Sequence, residues 1–553
     1  MADYDLIVLG SGAAGLTAAL TAADFGASVL VVEKGQKIGG TSAWSGGQIW
    51  IPCNPHMREF GKEDSRDRAL TYLESMSNGL IDPAMAEAYV DTGPEMVAFM
   101  EERTPVQFSV VPDFPDYHAE QPGAASRGGR TLECPVYPYG ELGEWADKVE
   151  VSPYYWPHVY FTVGETSLAQ AVPDPLDPAE AQRRAENDER GLGHSLVGRL
   201  LKGCLDRNVA FLLETAGHRL MQDESAAITG VVLEDGREIS AGNVVLATGG
   251  FEHDEAFKKA FLRGPLETAV SIRTNTGDGQ KMAMKAGAML GNMSEAWWMP
   301  VVEAPLNDMG MMLFTGERTL PGTIMVNREG KRFCNEAANY NAFGSAFHEI
   351  DQQTCSYRNL PAWCVFNQAF YEKRGFLDVQ LVGVADGERK EPADWIERAG
   401  SLQGLARKLG VDAENLAATV KRWNAMVEDG RDTDFGRGDS YYDTYWGDPE
   451  KKGSRAATLG KLEGGPYYAV EVKPGALGTK GGAQTDTSGR VIGVGGEPIP
   501  GLYAAGNAMA SMMGMTYGGG GGTLGPGMVF GYLAGKHAAT HNREAGSAVE
   551  TTA

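Results

Sequence analysis

The opening segment, Tyr4-Asp-Leu-Ile-Val-Leu-Gly-Ser-Gly-Ala-Ala-Gly15, limits the fold more than any other stretch of the chain. Leu6 to Leu9 is an apolar run suited to a buried parallel strand. Gly10, Gly12 and Gly15, with Ala13 and Ala14 between them, follow at G-x-G-x-x-G spacing and open an Ala/Leu-rich helix that ends near Gly26. In such a unit one glycine makes the turn, one lets backbone approach a pyrophosphate, and one lets the helix pack on the strand. The helix N-terminus then offers free N–H groups and a positive dipole end to the phosphates. A second strand, Ser28 to Val32, ends in Glu33 and Lys34, about 20 residues on, where a carboxylate can accept hydrogen bonds from a ribose. The combination of strand, turn, helix, strand and acidic end predicts a dinucleotide site.

Residues just beyond Glu33 indicate which dinucleotide. Gly40, Thr41, Ser42, Ser45, Gly46 and Gly47 add a second set of small residues and hydroxyls next to the first. A longer cofactor, FAD, needs such a second cradle. Over these residues the chain resembles the fumarate reductase/succinate dehydrogenase flavoprotein superfamily, and within it the 3-ketosteroid dehydrogenases. That resemblance implies a Rossmann-like FAD-binding domain of the glutathione reductase type carrying an inserted α+β substrate domain, an α/β fold overall. Covalent-flavin members carry a His in this segment. This chain has Ala43-Trp44-Ser45 there, so the resemblance implies non-covalent FAD.

A length of 553 residues calls for more than one core. The formal charge of −24 opposes nucleic acid and anionic lipid, both of which would repel the chain at long range. Six cysteines are scattered with no C-x-x-C pair, so neither a disulfide framework nor a metal site is expected. The first strand starts directly after Met-Ala-Asp, and no apolar run reaches the ~18 residues of a membrane span. The sequence reads as cytoplasmic with no integral membrane segment; loose membrane association is left open.

Further along, Ser65 to Arg103 has helical periodicity, with breaks expected at Asp82-Pro83 and Gly93-Pro94. Phe108 to Phe161 is an irregular aromatic stretch, and a loop of that length inside a domain is usually functional. Pro173 to Arg190 is polar and acidic and reads as an exposed insertion, while His194 reads as structural or capping. Ala227 to Ser240 reads as a hairpin on a type I′ turn at Asp235-Gly236. Val244 onward then returns to the parallel sheet and ends in Ala247, Thr248 and Gly249, which in the resembled superfamily touch FAD. The expected division is an FAD-binding part over 1–273, with an insertion over about 104–192, a substrate and catalytic domain over 274–461, and a second FAD-binding part over 462–553. In that last part Gly506 and Asn507 end a strand, and Thr523 and Leu524 open the C-terminal helix. The resemblance places that helix N-terminus at the flavin.

The resemblance also carries the chemistry. The segment from Pro321 to Gly344 resembles the superfamily's active-site segment, and Tyr340 stands where fumarate reductases have a proton-delivering Arg. An Arg suits an anionic substrate; a Tyr, as in the ketosteroid dehydrogenases, suits a neutral ketone. Tyr117 and the pair Tyr517 and Gly521 match the same subfamily, although no Pro follows Tyr517 and five glycines, Gly518 to Gly522, do. By resemblance Tyr340 takes the α-proton. Tyr517 and the Gly521 N–H hold the carbonyl oxygen, and a hydrogen bond from Tyr117 lowers the pKa of Tyr340. Met311, Met312, Phe314, Trp297 and Trp298 are candidates for an apolar wall or for ordinary core.

The expected activity is desaturation of a small apolar cyclic ketone, a 3-ketosteroid first, with an external, quinone-like electron acceptor. Smaller cyclic ketones, a ketosteroid 4(5α)-dehydrogenase, an enone or fumarate-type reductase, and a flavin-binding sensor without turnover are the alternatives. Nothing in the sequence sets the direction.

Overall fold

The structure is a computed structural model that describes residues 2–155, 159–166, 168–169, 176–307, 309–377 and 392–550, with side chains up to residue 541. The expected insertion therefore lies partly outside the described residues; its remainder includes the helix Pro178–Glu186, whose surface is mostly exposed.

Among the described residues the first sheet has eight strands. Its centre is β1 (Tyr4–Leu9), flanked in parallel by β2 (Val29–Val32) and by Glu238–Leu246, with Leu9 opposite both Val32 and Leu246. Residues Leu6 to Leu9 are at most 1% exposed, which explains a continuous apolar run where a one-sided strand would alternate. Helix α1 (Ala13–Asp24) packs against β1 and against the C-terminal helix Leu524–Glu550. Two glycines make the helix crossing close: a Cβ on Gly531 would stand 2.5 Å from Ala14 O, and one on Gly535 would stand 2.3 Å from Ala18 O.

The strand Glu238–Leu246 serves two sheet regions in one run. Its first half pairs antiparallel with Ile228–Leu233 and its second half runs parallel to β1. The expected hairpin is present, but its turn is not type I′. Only Gly236 has positive φ, +87°, and Leu233 N donates to Arg237 O at 2.8 Å, giving a three-residue loop with glycine at the left-handed position.

A second sheet of seven strands is centred on Tyr467–Thr479, which pairs with Ala296–Glu303 on one side and Ala362–Asn367 on the other. The chain beyond residue 462 thus still runs in the second sheet, and strands of the first sheet resume only at Arg490–Ile492 and Pro498–Ala504. The sequence could not show this, because 467–479 is as apolar as either neighbour. Phe366, Phe370 and Phe376 fill one face of the sheet, and Leu405, Leu416 and Trp423 fill the other.

The helix Pro83–Arg103 passes straight through Gly93-Pro94, contrary to the expected break. Burial of Tyr89, Val90, Met96 and Val97 on both sides of the proline outweighs the one lost backbone bond. The long aromatic stretch is also more ordered than a loop. Thr131–Glu133 pairs with Ile49–Trp50 and Ser109–Val110, and Arg130 is buried between Asp64 and Asp116 at 2.8 Å each. Trp50 Nε1 and Ala125 N donate to the same Asp116 carboxylate, so the buried charges are fully partnered. This network fixes the residue immediately before Tyr117.

Candidate active site

A single cavity runs from the β1–α1 turn to the edge of the second sheet, and its wall contains all the expected site residues except Gly15. Gly15 has a packing role: a Cβ there would stand 2.1 Å from Gly10 O. Gly10 likewise has φ +103° and would place a Cβ 2.3 Å from Ala247 O. Gly12 and Gly40 are different. A Cβ on Gly12 would have nothing nearer than 3.4 Å, and one on Gly40 nothing within 4 Å. These two open onto the cavity, where the backbone is free to approach a ligand.

Polar groups around the turn are arranged for a dinucleotide. Glu33 accepts from Ser11 N at 2.9 Å, Ser11 Oγ at 2.6 Å and Gly35 N at 2.7 Å. The carboxylate is thereby fixed at the rim. Ser42 Oγ accepts from Ala13 N at 3.0 Å, while the N–H groups of Gly12 and Ala14 have no protein acceptor among the described residues. Unpaired donors at a helix start are what a pyrophosphate requires. Lys34 is bound to Asp278 and Thr276 at 2.6 and 2.7 Å, so its charge is already engaged.

Small and hydroxyl-bearing residues continue the cradle. Thr41 Oγ1 accepts from Ile272 N and Asn275 Nδ2. Ser45 Oγ donates to Ser42 O and accepts from Gly47 N, and a Cβ on Gly47 would meet Leu192 O at 2.5 Å. Gly46 also lies on the wall. Thr248 Oγ1 accepts from Gly279 N at 3.0 Å, and Gly249, with φ +76°, abuts Asn275. Ala247, Gly506 and Leu524 add apolar surface, and Asn507 Oδ1 accepts from Trp297 Nε1 at 3.0 Å.

At the other end four tyrosines converge. The ring of Tyr117 lies 5.2 Å from Tyr340, 5.1 Å from Tyr517 and 5.4 Å from Tyr442, edge to face in each case. The Tyr117 hydroxyl donates to that of Tyr340 at 2.9 Å. Asn339 joins their backbones: its Nδ2 donates to Tyr117 O, and its Oδ1 caps the helix Tyr340–Ser345 through Ala342 N. Thr523 Oγ1 donates to the Tyr517 hydroxyl at 2.9 Å, which leaves the phenol its own proton to donate. Burial pushes Tyr117 and Tyr340 well above the ordinary phenol value and raises Tyr517 as well. At Tyr340 burial is joined by the neighbouring Tyr117 and Tyr517, which push in the same direction, so the expected lowering by Tyr117 is absent.

The five glycines after Tyr517 are explained by crowding. A Cβ on Gly519 would stand 2.4 Å from Trp50 Cδ1, one on Gly520 2.7 Å from Phe114 Cε1, and one on Gly521 2.5 Å from Ile49 backbone. Tyr72 Oη and Tyr117 N both donate to Gly518 O. Gly521 N–H has no protein acceptor among the described residues.

Sequence reasoning missed Tyr442, Arg318, Met299, Leu313, Val270 and Leu477, all on the cavity wall. None sits in a motif, and only the tertiary fold brings them in. Of the candidate wall residues, Trp298 and Phe314 are core, and Trp297 packs behind Tyr517 with ring centroids 4.7 Å apart. His194 is buried and is not a cap. It accepts from Ser152 N at 3.3 Å, and burial lowers its pKa to about 3. Among the described residues no His, Cys, Asp and Glu cluster could hold a metal, and no helix is long and apolar enough to cross a membrane.

The model of the FAD binding domain family matches residues 5–524. The 4-oxocyclohexanecarboxylate 2-dehydrogenase of Sinomonas cyclohexanicum is 42% identical over 96% of this chain and 92% of its own length. The 3-oxosteroid 1-dehydrogenase of Mycobacterium tuberculosis is 38% identical over 97% and 98%. Among solved structures, the 3-ketosteroid delta1-dehydrogenase of Sterolibacterium denitrificans, in complex with 1,4-androstadiene-3,17-dione, superposes with a TM-score of 0.88 at 34% identity, covering 97% of this chain and 99% of that one. The chain belongs to the FAD-binding domain family and is an FAD-dependent oxidoreductase of the 3-oxosteroid 1-dehydrogenase type.

Proposed function

We propose that the protein desaturates a cyclic ketone beside its carbonyl, with Tyr340 as the proton acceptor and Tyr517 and Gly521 as the carbonyl-binding pair. The observation that carries this reading is the Tyr117–Tyr340 hydroxyl pair at 2.9 Å, packed against Tyr517 in the cavity that also contains the dinucleotide cradle. Relatives acting on a steroid ketone and on an oxocyclohexane acid support the substrate class. Val270, Met299, Leu313 and Leu477 give the site an apolar wall suited to a hydrocarbon ring.

The residues divide the work by protonation state. Tyr517, protonated at ordinary pH, donates its O–H to the carbonyl oxygen, and the unpaired Gly521 N–H donates alongside, so charge that develops on oxygen is met by two fixed donors. Tyr340 takes the α-proton as the C–C double bond forms, and Tyr117 passes or shares that proton through its hydroxyl. The cradle around Gly12 and Gly40 would hold FAD, which would supply the hydride acceptor that removal of a hydride from the β-carbon requires. The unpaired N–H groups at Gly12 and Ala14 and the open space at Gly12 and Gly40 fit its pyrophosphate.

In this reading the first sheet with α1 is a Rossmann-like FAD-binding domain of the glutathione reductase type. Residues 274–461 form most of an inserted α+β domain that supplies Tyr340. The cofactor is non-covalent, because Ala43-Trp44-Ser45 offers no histidine, and electrons pass on to an external acceptor. A cytoplasmic location agrees with the reduced, scattered cysteines. The decisive experiment is anaerobic mixing of the holoprotein with steroidal ketones, simple cyclic ketones and oxocyclohexane acids. One of these classes bleaches the flavin and releases the enone. A flavin that no ketone reduces, but that an enone product reoxidises, would assign the reverse direction.

A further inference from the structure

Desaturation by Tyr340 needs negative charge on a buried phenol, yet burial of both Tyr340 and Tyr117 opposes that charge. A compensating cation should therefore stand nearby, and the cavity wall contains one at the tyrosine end. Arg318 is 1% exposed. Its Nε donates to Phe314 O at 3.1 Å, and its Nη1 donates to Ala338 O at 2.6 Å and to Glu336 O. Among the described residues no carboxylate lies within ion-pair distance of this guanidinium, and its Nη2 has no hydrogen-bond partner. A buried guanidinium left without a counter-ion is costly to maintain. Arg130, paired with Asp64 and Asp116, Arg332, paired with Glu336 and Asp432, and Arg437, paired with Glu336, show the contrast, whereas Arg199, less deeply buried, is held like Arg318 without a carboxylate, by Ser195 and three backbone carbonyls.

We propose that Arg318 is a positioning residue for the reaction: it fixes the turn that presents Tyr340 and supplies the positive charge that offsets the negative charge taken up by the Tyr117–Tyr340 pair. Both parts follow from where its nitrogens sit. The carbonyls it binds belong to Glu336 and Ala338, just before the capping Asn339 and Tyr340. Its charge acts on Tyr117 in the direction of ionisation, and Tyr117 shares a hydrogen bond with Tyr340. The other groups facing it do not cancel this effect. Tyr442 and Cys334 are held protonated by burial. Arg437 adds a like charge that Glu336 neutralises. Asp443, raised to about 6 by burial, is charged above that pH and acts on Arg318, but its carboxylate is already engaged by Asn335 Nδ2 and Gly438 N and makes no ion pair with the guanidinium.

This inference rests on the proposed role of Tyr340, and the test separates the two. Full-length holoprotein is prepared with 3,5-difluorotyrosine at position 340, whose more acidic phenol brings the inflection of the pH–rate curve into a measurable range. Arg318→Gln, which keeps donors and loses charge, and Arg318→Lys, which keeps charge, are then made in that background. The rate of flavin reduction by a saturating ketone is followed against pH. The expected result is an inflection moved up by about one unit or more in the Gln variant, as for loss of a nearby opposite charge, and restored in the Lys variant. Ketone affinity and FAD content stay within about twofold in both. An unmoved inflection with only a lower plateau would show that Arg318 merely holds the turn, and would overturn its charge role. If Gln fails to retain FAD, Arg318→Lys alone decides, because a rate below a tenth of the parent's at every pH contradicts the charge role. Failure of every ketone to reduce the parent protein would instead remove the reading of Tyr340.

Discussion

The Tyr117 hydroxyl donates to the Tyr340 hydroxyl at 2.9 Å, and the two residues come from parts of the chain separated by 223 positions. Tyr117 is placed from below by the Arg130–Asp116 pair and by the Gly518 carbonyl. Tyr340 is placed from above by Asn339. A pair held from two sides with little freedom suits proton transfer, because the distance is set before a ligand arrives.

Replacing Tyr340 by Phe removes the proposed proton acceptor and leaves the ring. FAD binding and ketone affinity should be retained, and turnover should fall by about 10²–10⁴-fold, the usual contribution of one acid–base group. Single-turnover flavin reduction measures this. A variant that works at near the normal rate would take Tyr340 out of the mechanism.

The same burial sets the pH dependence. Tyr340 and Tyr117 lie well above the ordinary phenol value, and the active form of an acceptor is the deprotonated one. Lowering pH removes that form, and raising pH supplies it. Flavin reduction should therefore climb about tenfold per unit between roughly pH 7 and 9, the slope of a group titrating above the range. A curve that is flat across this range in stopped-flow measurements would mean that another group accepts the proton.

The β1–α1 end of the cavity was legible from the sequence because its first residues belong to one local pattern. Gly10, Gly12, Gly15 and Glu33 take their places from a single strand–helix–strand unit, and spacing alone fixes such a unit. The tyrosine end could be found only through a resemblance, since Tyr117, Tyr340 and Tyr517 have no local signature among 20 tyrosines. Arg318 and Tyr442 had none at all. The place of the strand Tyr467–Thr479 in the second sheet has no local signature for a related reason. Apolar content shows that a strand is buried, while its partners are chosen by contacts distant in sequence. Pro94 shows the converse, a strong local signal overruled by packing on both sides.

Non-covalent attachment is checked by precipitating the holoprotein with acid or heat. One FAD per chain should appear in the supernatant, since Ala43-Trp44-Ser45 supplies no nucleophilic ring nitrogen. Yellow colour remaining in the washed pellet would show a covalent link formed elsewhere in the chain.

The glycine run makes a separate stability prediction. Gly519→Ala would drive a methyl to 2.4 Å from the buried Trp50 ring, whereas Gly495→Ala on the outer hairpin meets nothing within 4 Å. The first should lower stability by about 1–3 kcal/mol, the usual cost of overpacking, and the second by less than ~0.5 kcal/mol. Equal melting temperatures for the two variants would mean that the loop can shift away from Trp50.

Tyr517→Phe separates carbonyl activation from mere packing. Phenylalanine keeps the ring that packs tilted against Trp297, with centroids 4.7 Å apart, and deletes only the hydroxyl that Thr523 orients at 2.9 Å. If that hydroxyl donates to the carbonyl oxygen, its contribution grows as negative charge develops there. The saturated rate of flavin reduction should then fall by about 10²–10³-fold, or roughly 3–4 kcal/mol, while ketone affinity changes far less. A packing role would leave both quantities near their original values, because the two side chains have nearly the same volume. Thr523→Val should reproduce part of the loss, since it frees the Tyr517 hydroxyl to turn without removing it. A saturated rate within about threefold of the parent in Tyr517→Phe, well short of the effect of losing an oxyanion donor, would reduce this residue to a wall of the pocket and leave Gly521 N–H as the carbonyl donor.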